Sequence, residues 1–160
     1  MAVDQTLSEP GEVYQDDPLI TDNDVLFRIA REDKVVWDSV SGLANGCGSN
    51  LFQDNTNPES LARLNVPAPG VSVYVQRLLP GDRSADQVLL LEPSSNRAGV
   101  AKLTARVARE SGQGVCFWPN GVHESHAIIF ALSGPEKTKS DLKKLARGSE
   151  LVIDPTRTNQ

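Results

Sequence analysis

Residues 114–134, GVCFWPNGVHESHAIIFALSG, carry the densest apolar run of the chain together with both of its histidines. Two apolar runs within it, 115–118 and 127–132, read as strands. The polar stretch between them, 119–126, contains Pro, Asn and Gly, the residues that turn a chain. Turn residues between two apolar runs predict a strand–loop–strand unit.

The rest of the chain is read outward from that unit. Upstream, 25–30 (VLFRIA), 34–37 (KVVW), 71–79 (VSVYVQRLL) and 88–91 (VLLL) read as strands, with 71–79 alternating at first as a half-buried strand does. The stretch 41–50, SGLANGCGSN, reads as a loop or turn cluster because Gly and Asn accept backbone shapes that other residues resist. It follows a strand but matches neither GxGxxG nor GxxxxGK[ST], so no nucleotide motif supports it. Three helices are expected. The first is 58–64, with Asn57 as N-cap and Pro58 at the first helical position. The second is 96–111, where Val100, Leu103 and Val107 share a face, Lys102, Arg106 and Arg109 take another, and Gly112 closes the end. The third is 140–147, with Ser140 as N-cap, and a last strand follows at 151–153.

Mixed strands with two or three short helices predict an α+β fold with a mixed, mostly antiparallel sheet. The globular domain is expected over 23–154, after a flexible acidic N-terminal segment, 1–22, and before a C-terminal tail, 155–160. At 160 residues the chain is long enough for one hydrophobic core.

Composition narrows the function classes. A net charge of −5 argues against general nucleic-acid binding and against binding to anionic membranes, both of which rely on clustered Lys and Arg. No apolar run approaches the roughly 20 residues that span a bilayer. The N-terminal residues lack a basic region followed by an apolar one, so no secretory signal is read and a cytoplasmic location is expected. Cys47 and Cys116 belong to no CxxC pattern and read as reduced thiols.

Two constellations carry candidate chemistry. His123 and His126 stand at i and i+3 with Glu124 between them, which makes the three the candidate catalytic residues, one His as general acid or base and Glu124 or Asp38 as its orienting carboxylate. The alternative is a surface turn in which one His bonds to backbone. No second ligand pair accompanies the histidines, so no metal site is expected. Cys116 lies between Val115 and Phe117, the setting of a buried inert thiol, while Cys47 between glycines is the more exposed of the two. The second constellation is Arg28, Ser49, Phe52 and Tyr74. An arginine on a strand can hold a phosphate, a hydroxyl can bond a ribose, and an aromatic ring can stack on a flat base, the demands of a dinucleotide such as NAD. The alternative places Arg28 on a strand surface and Phe52 and Tyr74 in the core.

The segments LFR (26–28), GCGSNLF (46–52) and GVSVYV (70–75) resemble the opening of RES-type and related ADP-ribosyltransferase-like domains. The later WPNGVHESHAIIFAL, KTKSDLKKLAR and LVI segments resemble a group of uncharacterised small bacterial proteins. The resemblance implies a sheet-and-helix domain with a cleft for NAD, in which Arg28 takes a phosphate, Ser49 and Phe52 line the nicotinamide side and Tyr74 stacks. It implies a bacterial NAD-handling transferase or glycohydrolase, a toxin or defence component. The departure is the absence of a QxE or ExE carboxylate motif, with Glu92, Glu110 and Glu124 the acids near the later elements. The rival expectation is a non-catalytic interaction protein or accessory subunit of a larger complex, with a protein partner.

Overall fold

The strand–loop–strand unit pairs in antiparallel register, with Val115 opposite Ile129 and Cys116 opposite Ile128. The computed structural model describes residues 9–42, 44–63, 66–91, 97–118 and 123–153. In chain order its strands are β1 (Val25–Arg31), β2 (Val35–Trp37), β3 (Ala44–Cys47), β4 (Val71–Val75), β5 (Arg97–Thr104), β6 (Gln113–Phe117), β7 (His126–Ala131) and β8 (Glu150–Ile153). The helices are α1 (Pro10–Val13), α2 (Pro58–Arg63), α3 (Ala85–Leu91), α4 (Ala105–Glu110) and α5 (Lys139–Arg147). Among the described residues six strands form one antiparallel sheet in the order β6-β7-β4-β1-β5-β8, and β2 and β3 form a separate hairpin. The fold is α+β, as expected. No helix of the described residues is long and apolar enough to cross a membrane.

Both faces of the sheet are covered. On one, Leu26, Val73, Leu103 and Ile129 pack with Phe52, Ala108 and Leu145 into the largest core cluster. On the other, Ala85 and Val88 of α3 cover Phe27, Tyr74 and Val100, while Tyr14 covers Cys116, Ile128 and Phe130. Gly114 lies opposite Phe130, and a Cβ there would come within 2.5 Å of the Phe130 ring, so only glycine lets the ring lie across β6.

From Glu9 onward the acidic N-terminal segment packs on the domain. The Tyr14 hydroxyl donates to the Ala68 carbonyl at 2.8 Å, and Ile20 is fully buried. Asp17 N–H donates to Val115 O at 2.9 Å, and Val115 N–H donates to Asp16 Oδ1 at 2.9 Å. Arg109 fastens the segment, donating to Asp22 Oδ1 at 2.8 Å and to Ile20 O at 2.6 Å. The acids that make this stretch look unstructured are in part the partners of these bonds.

Several expected elements are corrected. The expected helix over 96–111 is instead β5 followed by α4, with Thr104 capping α4 through a bond from Val107 N–H. Val100 faces one side of the strand and Ala101 and Leu103 the other, and burial on both sides erases the alternation that marks a strand. The 88–91 strand is the second half of α3; Ala85 and Val88 are buried one turn apart, while Leu90 stays 71% exposed. Part of the 41–50 loop is β3, paired with β2. The 71–79 strand stops at Val75 and continues as a 3₁₀ turn, Gln76–Leu78. Asn57 does cap α2, its Oδ1 accepting from Glu59 and Ser60 N–H, whereas Thr138 rather than Ser140 caps α5 in a capping box with Asp141.

Candidate functional site

The sheet is split at its centre. β1 pairs with β5 along its whole length, but its ladder to β4 consists of Leu26 opposite Val75 and Phe27 opposite Tyr74 and then stops. Arg28, the next residue of β1, spans the gap: its Nε donates to Leu51 O at 2.6 Å and its Nη1 to Ser72 O at 2.9 Å. Where the strands part, a cleft of about 560 Å³ opens, lined by Arg28, Ile29 and Arg31 of β1 and by Gly70, Val71, Ser72 and Tyr74 at the start of β4. Lys34, Gln53, Asn55, Ser60, Leu61, Val66 and Ile128 complete its wall.

The chemistry of that wall is one-sided. Its charged residues are Arg28, Arg31 and Lys34, and among the described residues no Asp, Glu, His or Cys lines it. Arg31 and Lys34 make no ion pair among the described residues. The polar groups are ordered by local turn chemistry: Asn55 Nδ2 donates to Ser60 Oγ at 2.9 Å, and Asn55 Oδ1 accepts from Asn57 N–H at 3.1 Å.

Directly behind the wall lies a buried ion pair. Asp54, between the lining residues Gln53 and Asn55, turns inward to Lys137, and both side chains are essentially inaccessible to solvent. Lys137 Nζ donates to Asp54 Oδ1 and, at 3.0 Å, to Ile129 O, while Lys137 N–H donates to Asp54 Oδ2 at 2.7 Å. Burial holds the Lys137 ammonium below its ordinary pKa; Asp54 opposes that shift and the positive charge of Arg28 adds to it.

The residues singled out from the sequence divide between different places. Arg28 and Tyr74 both border the cleft, but Tyr74 is 1% exposed and its ring packs in the core under α3, as the alternative reading placed it. Ser49 and Phe52 do not: Ser49 is exposed at the start of a 3₁₀ turn, Ser49–Phe52, and Phe52 is fully buried in the core. His126 is 2% exposed, donates from Nδ1 to Trp118 O, and meets the Tyr74 ring edge-on at 5.5 Å. His123 Nδ1 instead accepts from Ser125 N–H at 3.1 Å, which places its ring proton, when neutral, on Nε2. The two histidines thus hold opposite Nδ1 roles, and neither lines the cleft. Glu124 is exposed in the turn before β7, and the Asp38 carboxylate accepts from Val40 and Ser41 N–H, which keep its pKa below the usual carboxylate value. Glu92 and residues 119–122 lie outside the described residues. No group of three or more His, Cys, Asp or Glu among the described residues is placed to hold a metal ion.

Burial pushes the Cys47 thiol up to about 11 and, with added repulsion from Asp17 and Asp16, the Cys116 thiol to about 12. Neither is an activated nucleophile. Both native values lie above the ordinary 9.0, so the stability these thiols contribute is present below pH 9 and is lost as pH rises toward 11 and 12. The urea midpoint is expected to decline from about pH 9 upward, with a shallower slope in Cys116→Ala; an unchanged slope counts against the assignment.

Asp54, Lys137, Arg31 and Lys34 were not singled out by sequence reasoning. Lys34 was read only as the first residue of a strand, and no local motif marks Arg31, Asp54 or Lys137. No protein-family model, curated protein sequence or solved structure matches the chain.

Proposed function

We propose that the protein binds a small phosphate-bearing metabolite in the cleft between β1 and β4, a nucleotide or dinucleotide such as NAD being the class that suits it. The observation that carries this reading is charge: a chain of net charge −5 gathers three cations and, among the described residues, no acid around one cleft. Ion-pairing and hydrogen-bonding groups of this kind hold phosphate oxygens. The volume lies in the range of about 300–1,000 Å³ typical of small-molecule sites, and Ile29, Val71 and Ile128 offer apolar surface to the ligand body.

Binding, rather than ADP-ribosyl transfer, is the activity proposed. Cleavage of the nicotinamide–ribose bond develops positive charge on the sugar, and the described residues of the cleft wall supply no carboxylate to stabilise it.

A ligand that binds only the folded state raises the melting temperature by mass action. NAD, AMP and inorganic phosphate are the probes. Wild type is expected to shift with at least one of them, the shift shrinking with added salt. Arg31→Gln/Lys34→Gln should lose it at little cost in stability, since neither side chain has an ion-pair partner among the described residues. A shift of equal size in the double variant would move the site elsewhere.

A further inference from the structure

Resting on that reading, we propose that Asp54 and Lys137 are positioning residues for the cleft, setting ligand affinity without touching the ligand. The segment from Leu51 to Asn55 carries two cleft-lining side chains, Gln53 and Asn55, and two of its ties reach across the fold to charged side chains. In one, Leu51 O accepts from Arg28 Nε. In the other, both carboxylate oxygens of Asp54 accept from Lys137, one from Nζ and one from the backbone N–H. Lys137 Nζ has a third tie, to Ile129 O on β7, next to the lining residue Ile128. Lys137 also precedes Thr138, the cap of α5. One side chain therefore joins the 51–55 segment, the β7 wall and the start of α5.

The geometry separates this role from mere stabilisation. A buried ion pair contributes little over an apolar pair of the same size, because desolvation offsets the attraction, but it fixes direction in a way that apolar contact does not. Two carboxylate oxygens against two donors fix how the backbone of Asp54 is turned, and with it the approach of Gln53 to the cleft, while Asn55 is held in addition by its bonds with Ser60, Asn57 and Gly70. Arg28 belongs to the same unit, since its charge is felt at Lys137 while its guanidinium spans the gap that forms the cleft.

The test compares the full chain with Asp54→Leu/Lys137→Met, using AMP and inorganic phosphate as probes at two salt concentrations. The double variant is expected to melt within about 5 °C of wild type. It should bind AMP at least about tenfold more weakly, with the salt dependence retained because Arg31 and Lys34 are intact. Affinity within twofold of wild type overturns the proposal and leaves the binding reading standing. A wild type that binds neither probe, nor NAD in their place, overturns the binding reading and the proposal together. Should the double variant not fold, the Lys137 amide resonance of the wild type decides: it is expected to shift on addition of AMP although it lies behind the wall, and a fixed resonance overturns the proposal.

Discussion

Lys137→Met alone is expected to destabilise the protein by about 3–5 kcal/mol, a large share of the total stability of a domain of this size. The Asp54 carboxylate, 1% exposed, loses its one salt-bridge partner among the described residues, and Met supplies no donor in its place. The Lys137 N–H to Asp54 Oδ2 bond survives the substitution, but one N–H cannot compensate a buried charge. The Ile129 carbonyl also loses its lysine donor. Urea unfolding checks the figure through the midpoint at unchanged slope. A loss below about 1 kcal/mol would mean that water reaches Asp54, as at exposed pairs. Adding Asp54→Leu should restore most of the loss, because removing the orphaned charge outweighs the one bond to Lys137 N–H that goes with it.

Phe52→Ala is the second large effect, also about 3–5 kcal/mol. The ring is fully buried in the core cluster that holds Leu51 and Leu145, and its removal leaves a cavity that the sheet and α5 can only partly close. The variant also separates the two roles assigned to Phe52. As a core residue it should lower the urea midpoint and leave NAD affinity in the folded protein within about twofold. A nicotinamide-facing residue would do the reverse, weakening NAD binding in a protein of normal stability, and that result would return Phe52 to the site.

The fold was legible where local chemistry and tertiary packing agree. The 114–134 stretch has turn residues between two apolar runs, and the runs pair. Asn57 and Pro58 open a helix because an amide oxygen can accept the first free N–H groups and a proline has none to lose. It failed at β5, where the spacing of Val100, Leu103 and Val107 imitates a helical face while two of the three lie on opposite sides of a strand. It failed again at 88–91, because a short apolar run has the same appearance in either state. Of the cleft, Arg28 and Tyr74 were legible as residues that border it, though not the burial of the Tyr74 ring nor Arg28's bond to a carbonyl 44 positions away. Asp54 and Lys137 lie 83 positions apart, and each is surrounded in sequence by residues that belong in water. No local pattern announces such a pair, since it exists only once the sheet has brought β7 beside the 51–55 segment.

The way the N-terminal segment meets β6 bears on behaviour at high concentration. β6 is an outermost strand, and an outermost strand with open hydrogen-bonding groups invites a second molecule to add its own. Here Asp17 and the side chain of Asp16 occupy both polar groups of Val115, the middle residue of β6. A carboxylate accepts bonds but donates none and cannot carry a ladder onward, so the segment ends the sheet instead of extending it. Its negative charge, tied to Arg109 on the neighbouring helix, sits where an incoming strand would have to dock. The same residues that fasten the start of the domain thereby guard it against fibrous self-association.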